Sequence, residues 1–204
     1  METSEIMTIG HSNHDFATFS VLLRAQGIAA VADIRSAPYS RFRPEFNRET
    51  LQEALRAAGF SYFFLGAELG ARSKDPACYE NGRIQYQKLA RTALFQEGLT
   101  SLLKRAVSER ITLLCAEKEP LACHRSLLVA RELERRGAAV LHIHPNGHTE
   151  SHADASVRLM AMFGLDRPDM FRTWQESLDL AYQRQEERIA YVEEDASTPE
   201  NAAV

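Results

Sequence analysis

The chain has 204 residues, 45% of them apolar and 25% charged, which is the composition of an ordinary globular protein and the length of one domain with an appended segment. A formal net charge of −4 and a pI near 6.0 argue against a broadly basic surface that would coat duplex nucleic acid, while leaving room for a local basic pocket. No apolar run is long enough to span a bilayer, the polar start "METSEIMT" lacks the apolar stretch of a secretory signal, and Cys78, Cys115 and Cys123 are too few for a disulfide framework, so the expectation is a cytoplasmic protein with reduced thiols and no membrane partner.

In chain order, "IMTIGHS" reads as a short buried strand ending at Gly10. "DFATFSVLLRAQG" follows with helical spacing, Phe16, Phe19, Leu22 and Leu23 on one face and Gly27 as the stop. "IAAVADIRS" is a second strand, "RETLQEALRAAG" a helix carrying Leu51 and Leu55, and "FSYFFLG" a third strand. From Gly66 to Gly82 no period is visible, so this stretch reads as a long loop, a flap that brings Arg72 or Lys74 over a pocket. Helical spacing returns from Ile84 to Glu109, then come the strand "ITLLCAE", the helix "RSLLVARELERRG" and the strand "AAVLHIH". Apolar runs that alternate with helices predict a three-layer α/β domain over residues 1–150, with a mostly parallel sheet of about five strands and helical crossovers. Residues 151–194 read as a C-terminal helical extension with Phe171, Trp174, Leu178, Tyr182 and Ile189 along one stripe, packed on the core or pairing two copies as a homodimer. The acidic segment 195–204 is expected to lack order.

Ligands of open parallel sheets sit at the carboxyl ends of the strands, so the residues that follow each strand pool into one candidate site. The first strand contributes His11, Ser12 and Asn13, and the second Asp33, Arg35, Ser36, Tyr39, Arg41 and Arg43. The strand ending at Cys115 adds Glu117, Lys118, Cys123, His124 and Arg125. His11, Asp33, Glu117 and His124 are the candidates for proton transfer, and the remaining residues of the pool are candidates for ligand binding.

Five motifs, "TIGHSN", "DIRSAPYSRFRPEFN", "YFFLGAELGAR", "CAEKEPLACHR" and "HIHPNG", resemble the domain-of-unknown-function family numbered 488, over Met7 to Gly147 with further similarity in "ERIAY". The resemblance implies an α/β domain and supplies no reaction, so function rests on the residues.

In "CAEKEPLACHRS" a strand end leads to a helix N-terminus with Arg125, an arrangement suited to an anion. It has some likeness to the loops of rhodaneses and cysteine phosphatases, but Cys115 lies too far before Arg125, and Cys123 too close to it, for that loop. Neither cysteine is therefore read as an obligatory nucleophile, with Cys123 the better thiolate candidate of the two. A metal would need Cys123 or His124 to join His11, His144 or His148, and the spacing does not support it, so no metal is expected and the cofactor is unknown. Two classes of function remain: an enzyme acting on a phosphorylated or other anionic substrate such as a nucleotide or nucleic-acid end, with a rhodanese-like or phosphatase-like cysteine enzyme as a variant, or a non-catalytic module that binds a nucleotide, a single strand or an anionic metabolite. A base beside the bound anion would favour the enzyme, whereas a pocket of arginines alone would favour the module.

Overall fold

A computed structural model of the chain describes residues 4–168 and 170–193, so the segment 195–204 lies outside the described residues. Its centre is a six-stranded sheet in the order β3-β2-β6-β1-β7-β8. The strands are β1 (Glu5–Gly10), β2 (Ala30–Asp33), β3 (Ser61–Phe64), β6 (Ile111–Cys115), β7 (Ala139–Ile143) and β8 (Thr149–Ser151). All neighbours run parallel except β7 and β8, which pair antiparallel. Burial on both faces explains the apolar runs without polar alternation: Ile6 and Leu113 pack into one layer, while their strand neighbours Met7 and Leu114 pack into the opposite one.

The crossovers are helices with ordinary start and stop chemistry. Helix α1 (Phe16–Ala25) begins where the Asp15 carboxylate accepts the Thr18 N–H at 2.7 Å, and it ends before Gly27, whose φ of +63° takes the chain out of the helix. Helix α2 (Arg48–Ala57) joins β2 to β3 and buries Leu51 and Leu55. The stretch expected to be a loop is partly regular: Gly66–Leu69 forms one short helical turn (α3), and Tyr79–Glu80 (β4) pairs antiparallel with Arg83–Ile84 (β5). Asn81 and Gly82, with φ of +50° and +73°, supply the two left-handed residues of the hairpin turn. The following helical stretch divides into α4 (Tyr86–Ala90) and α5 (Ala93–Ala106), because the Thr92 hydroxyl caps a new start by accepting the Phe95 N–H.

After β6 the chain turns through 3₁₀ residues Pro120–Ala122, winds as a π-helix over Arg125–Ala130, and continues as α6 (Arg131–Arg135). Helix α7 (His152–Met162) and helix α8 (Trp174–Ile189) complete the described chain, the latter opened by a capping box between Thr173 and Glu176. Both rest on the core. Tyr182 is buried, Gln185 Nε2 donates to the Leu121 carbonyl at 2.8 Å, and the Glu186 carboxylate accepts the Tyr86 N–H at 2.6 Å. The expected stripe divides at this packing: Phe171 and Trp174 are 89% and 54% exposed, whereas Tyr182 faces inward. Among the described residues no helix is long and apolar enough to cross a membrane.

Candidate functional site

Strand β6 sits between β2 and β1, although the chain visits it only after β3, so the direction of winding switches at this place and opens a crevice at the carboxyl ends. A cavity of about 310 Å³ lies there. Arg35, Ser36, Cys115, Glu117, Cys123 and His124 from the expected pool line it, and Arg72, Tyr86, Ile189 and Tyr191 supply the outer wall.

At its floor four side chains meet. The sulfurs of Cys115 and Cys123 each lie 3.0 Å from Glu117 Oε2, and the His124 Nδ1 lies 3.6 Å from the first and 3.8 Å from the second. Both thiols and the imidazole are buried; Glu117 is exposed as a residue but turns its carboxyl end inward onto the sulfurs. The other imidazole nitrogen, Nε2, is 3.1 Å from the Ile34 carbonyl. A carbonyl only accepts, so Nε2 carries a hydrogen, and whenever the ring is neutral its Nδ1 lone pair faces the sulfurs. Sγ of Cys115, Sγ of Cys123 and a ring nitrogen of His124 all lie within 4.8 Å of one another, three potential metal-ligand atoms in one place.

The electrostatics follow from this crowding. Burial raises the Cys115 thiol well above its ordinary range, and the neighbouring Cys123 and Glu117 add to the effect. Burial also opposes ionisation of Cys123, but the Cys115 thiol and the charges of Arg125 and His124 outweigh it and hold this thiol low. Loss of water, followed by the Cys123 charge, pushes the Glu117 carboxyl up. For His124, burial disfavours the cation, yet contact with Cys123 and then Glu117 carries its pKa above the ordinary value.

The arginines divide by role. Arg35 donates from Nε at 2.9 Å and Nη2 at 2.6 Å to the Asp33 carboxylate, and Nη2 also reaches the Phe46 carbonyl at 2.9 Å. Asp33 accepts the Tyr62 hydroxyl as well, at 2.9 Å. This carboxylate, expected as a proton-transfer group, is thus engaged by a guanidinium and a phenol and serves to orient Arg35. Arg125, expected to bind an anion, is fully buried: Nη1 donates to the Glu117 carbonyl at 2.6 Å and Nη2 to the Lys118 carbonyl at 3.2 Å. It braces the loop beneath the cavity from behind. Arg72 stacks on the Tyr191 ring at 4.3 Å and stands at the cavity wall, held by its N–H donating to the Ser36 hydroxyl at 3.1 Å.

Other members of the pool lie elsewhere. The His11 ring stacks on Phe46 with centroids 4.4 Å apart, its Nδ1 is 3.1 Å from the Ser12 carbonyl, and burial followed by the Arg35 charge lowers its pKa to about 4. Ser12 and Asn13 belong to the same turn, which is stitched to the β6 loop by the Ser12 N–H on the Ala116 carbonyl at 2.9 Å. Tyr39 donates to Glu49, Arg41 lies over Phe42, and Arg43 pairs with Glu45 on an exposed loop outside the cavity lining. Lys118 faces a separate hollow with His144 and His148. The β7 histidine His142 is internal: Nδ1 meets the Thr8 hydroxyl at 2.7 Å and Nε2 meets His152 at 3.0 Å. Tyr86, Ile189 and Tyr191 were missed by strand-end reasoning because they arrive from helices and the C-terminal segment; the similarity in "ERIAY" was the signal for the last two.

No curated protein and no solved structure matches the chain. The family model described as "Domain of unknown function DUF488" matches residues 15–131, more than half of the chain. That span contains Asp33, Arg35, Arg72, Tyr86 and the whole Cys115–His124 cluster, and excludes His11 and Tyr191. The chain that builds this crevice belongs to the DUF488 family.

Proposed function

We propose that the protein is an enzyme acting on a small anionic substrate, phosphorylated or carboxylate-bearing, bound in the crevice at the carboxyl edge of β2 and β6. One observation carries the reading: two thiols, each in contact with both a carboxylate and an imidazole, share a cavity of about 310 Å³ with Arg35 and Arg72. A module that merely captured an anion would gain from arginines and lose from Glu117, whose charge repels the ligand. Acid and base groups beside an anion site are what general acid and base chemistry requires. Arg72 and the Nη1 end of Arg35, which stands outside the fork on Asp33, receive the charged part of the substrate, while its reacting atom faces the cluster. The volume suits a small metabolite or one nucleotide-sized end.

A panel of phosphate- and carboxylate-bearing metabolites, screened by calorimetry and for turnover, tests this. Arg72→Ala should weaken binding by about 10- to 100-fold, the value of one charged hydrogen-bonding contact. Glu117→Gln should retain binding and lose turnover. Binding indifferent to Arg72→Ala, or full turnover in Glu117→Gln, would overturn the reading. The rhodanese-like or phosphatase-like alternative has one contact in its favour, the Arg125 N–H donated to the Cys123 sulfur at 3.4 Å, which stabilises a thiolate; covalent substrate capture on Cys123 would support it.

A further inference from the structure

We infer that Cys115, Cys123 and His124 form a three-ligand site for a divalent transition metal, zinc in the first instance, with a fourth position open to the cavity; the site occupies the pocket of the proposed enzyme and rests on that pocket being functional. The distances carry the argument. Zinc holds thiolate sulfur at about 2.3 Å and imidazole nitrogen at about 2.0–2.1 Å, so a tetrahedral site separates sulfur from nitrogen by about 3.6 Å. The His124 Nδ1 lies 3.6 and 3.8 Å from the two sulfurs, and all three ligand atoms fall within 4.8 Å of one another. These separations match what a central ion imposes.

Three further observations agree. His124 gives Nε2–H to the Ile34 carbonyl at 3.1 Å, the outer partner that metal-bound histidines have and that aims Nδ1 at the ion. The ligands come from rigid places, the end of a buried strand and the start of a helix, rather than from a mobile loop. The Arg125 guanidinium is directed at the carbonyls of Glu117 and Lys118 and not at the sulfurs, so its charge reaches the two thiols through space and not by a guanidinium hydrogen bond. A divalent ion resolves the crowding of these groups: the thiol protons that remain leave to solvent, and an ion with two thiolates and a neutral imidazole is neutral overall. Soft sulfur and imidazole donors select zinc, and cobalt as its spectroscopic substitute, over magnesium or calcium. Glu117, 3.0 Å from both sulfurs, stays outside the three-atom ligand set, and its carboxylate would serve as the base for a water held at the open position.

The test uses the full-length reduced protein with zinc or cobalt alone. The expected result is one metal per chain, tetrahedral ligand-field bands for cobalt, and thiolate-to-cobalt charge transfer that disappears in Cys115→Ser, Cys123→Ser and His124→Gln and persists in Cys78→Ser, since Cys78 is buried elsewhere in the core. Should a ligand variant fail to fold, mass mapping of alkylated thiols on the unaltered chain replaces it: zinc shields Cys115 and Cys123. Absence of stoichiometric binding, cobalt bands without thiolate charge transfer, charge transfer that survives both serine variants, or unchanged alkylation with zinc overturns the site. No substrate enters these measurements, and Arg72→Ala should keep the metal, so failure of the metal site and failure of the anion reading are separately visible.

Discussion

Replacing Gly10 by alanine tests whether the β6 loop is fixed by backbone contact alone. Gly10 ends β1 and lies opposite Cys115 in the sheet. A Cβ there would stand 1.8 Å from the Glu117 carbonyl oxygen, 2.8 Å from its carbon and 3.1 Å from Arg125 Nη1. To reach ordinary contact at 3.4 Å the Glu117 carbonyl has to retreat by about 1.6 Å, which breaks its 2.6 Å bond from Arg125. Overpacking costs about 1–3 kcal/mol and the lost charged hydrogen bond a further ~1.5–3 kcal/mol, so a destabilisation of about 3 kcal/mol or more follows. At this chain length that lowers the melting temperature by about 6–12 °C. Urea unfolding of Gly10→Ala beside Gly59→Ala measures it. Gly59 has open space around a Cβ but a φ of +88°, so its variant carries only the left-handed backbone penalty of ~1–2 kcal/mol. Gly10→Ala within about 1 kcal/mol of the parent would refute the reasoning.

Two further outcomes follow from buried groups. Asp33→Ala strands the buried Arg35 guanidinium without its carboxylate and should cost about 3–5 kcal/mol in denaturant unfolding; a loss below about 1 kcal/mol would mean that the pair does not hold the site together. Burial, followed by the charge of Arg131, lowers the pKa of His152 to about 4, and burial likewise lowers its neighbour His142. The unfolded chain, with its histidines near pKa 6.5, binds more protons than the folded one between these values, so stability is full above about pH 6.5 and declines as pH falls toward about 4. His152 alone accounts for about 3 kcal/mol of that decline; stability that stays flat from about pH 7 to about pH 4 would show that the Thr8–His142–His152–Tyr182 chain does not hold neutral imidazoles.

Local chemistry determined much of this protein without reference to its partners in space. Apolar runs ending in Gly10, Asp33 and Cys115 specify buried parallel strands, the Asp15 and Thr92 caps specify helix starts, and the strand-end rule selected Arg35, Cys115, Glu117, Cys123 and His124 as members of one site. Even the hairpin at Asn81-Gly82 had a legible turn, hidden only by the shortness of its strands. What tertiary structure alone decided is how each side chain uses its bonding capacity. Arg125 and Asp33 have the residue types of an active site, but the close approach of the Glu117 carbonyl to Gly10 turns the first into a brace, and Tyr62 with Arg35 engages the second. Cys115 and Cys123 are separated along the chain by a loop whose path no spacing rule gives, and only the reversal through Pro120–Ala122 sets both sulfurs against one imidazole. Sequence period reports which face of an element is apolar; it carries no information on which of two polar groups, brought together from distant elements, satisfies the other first.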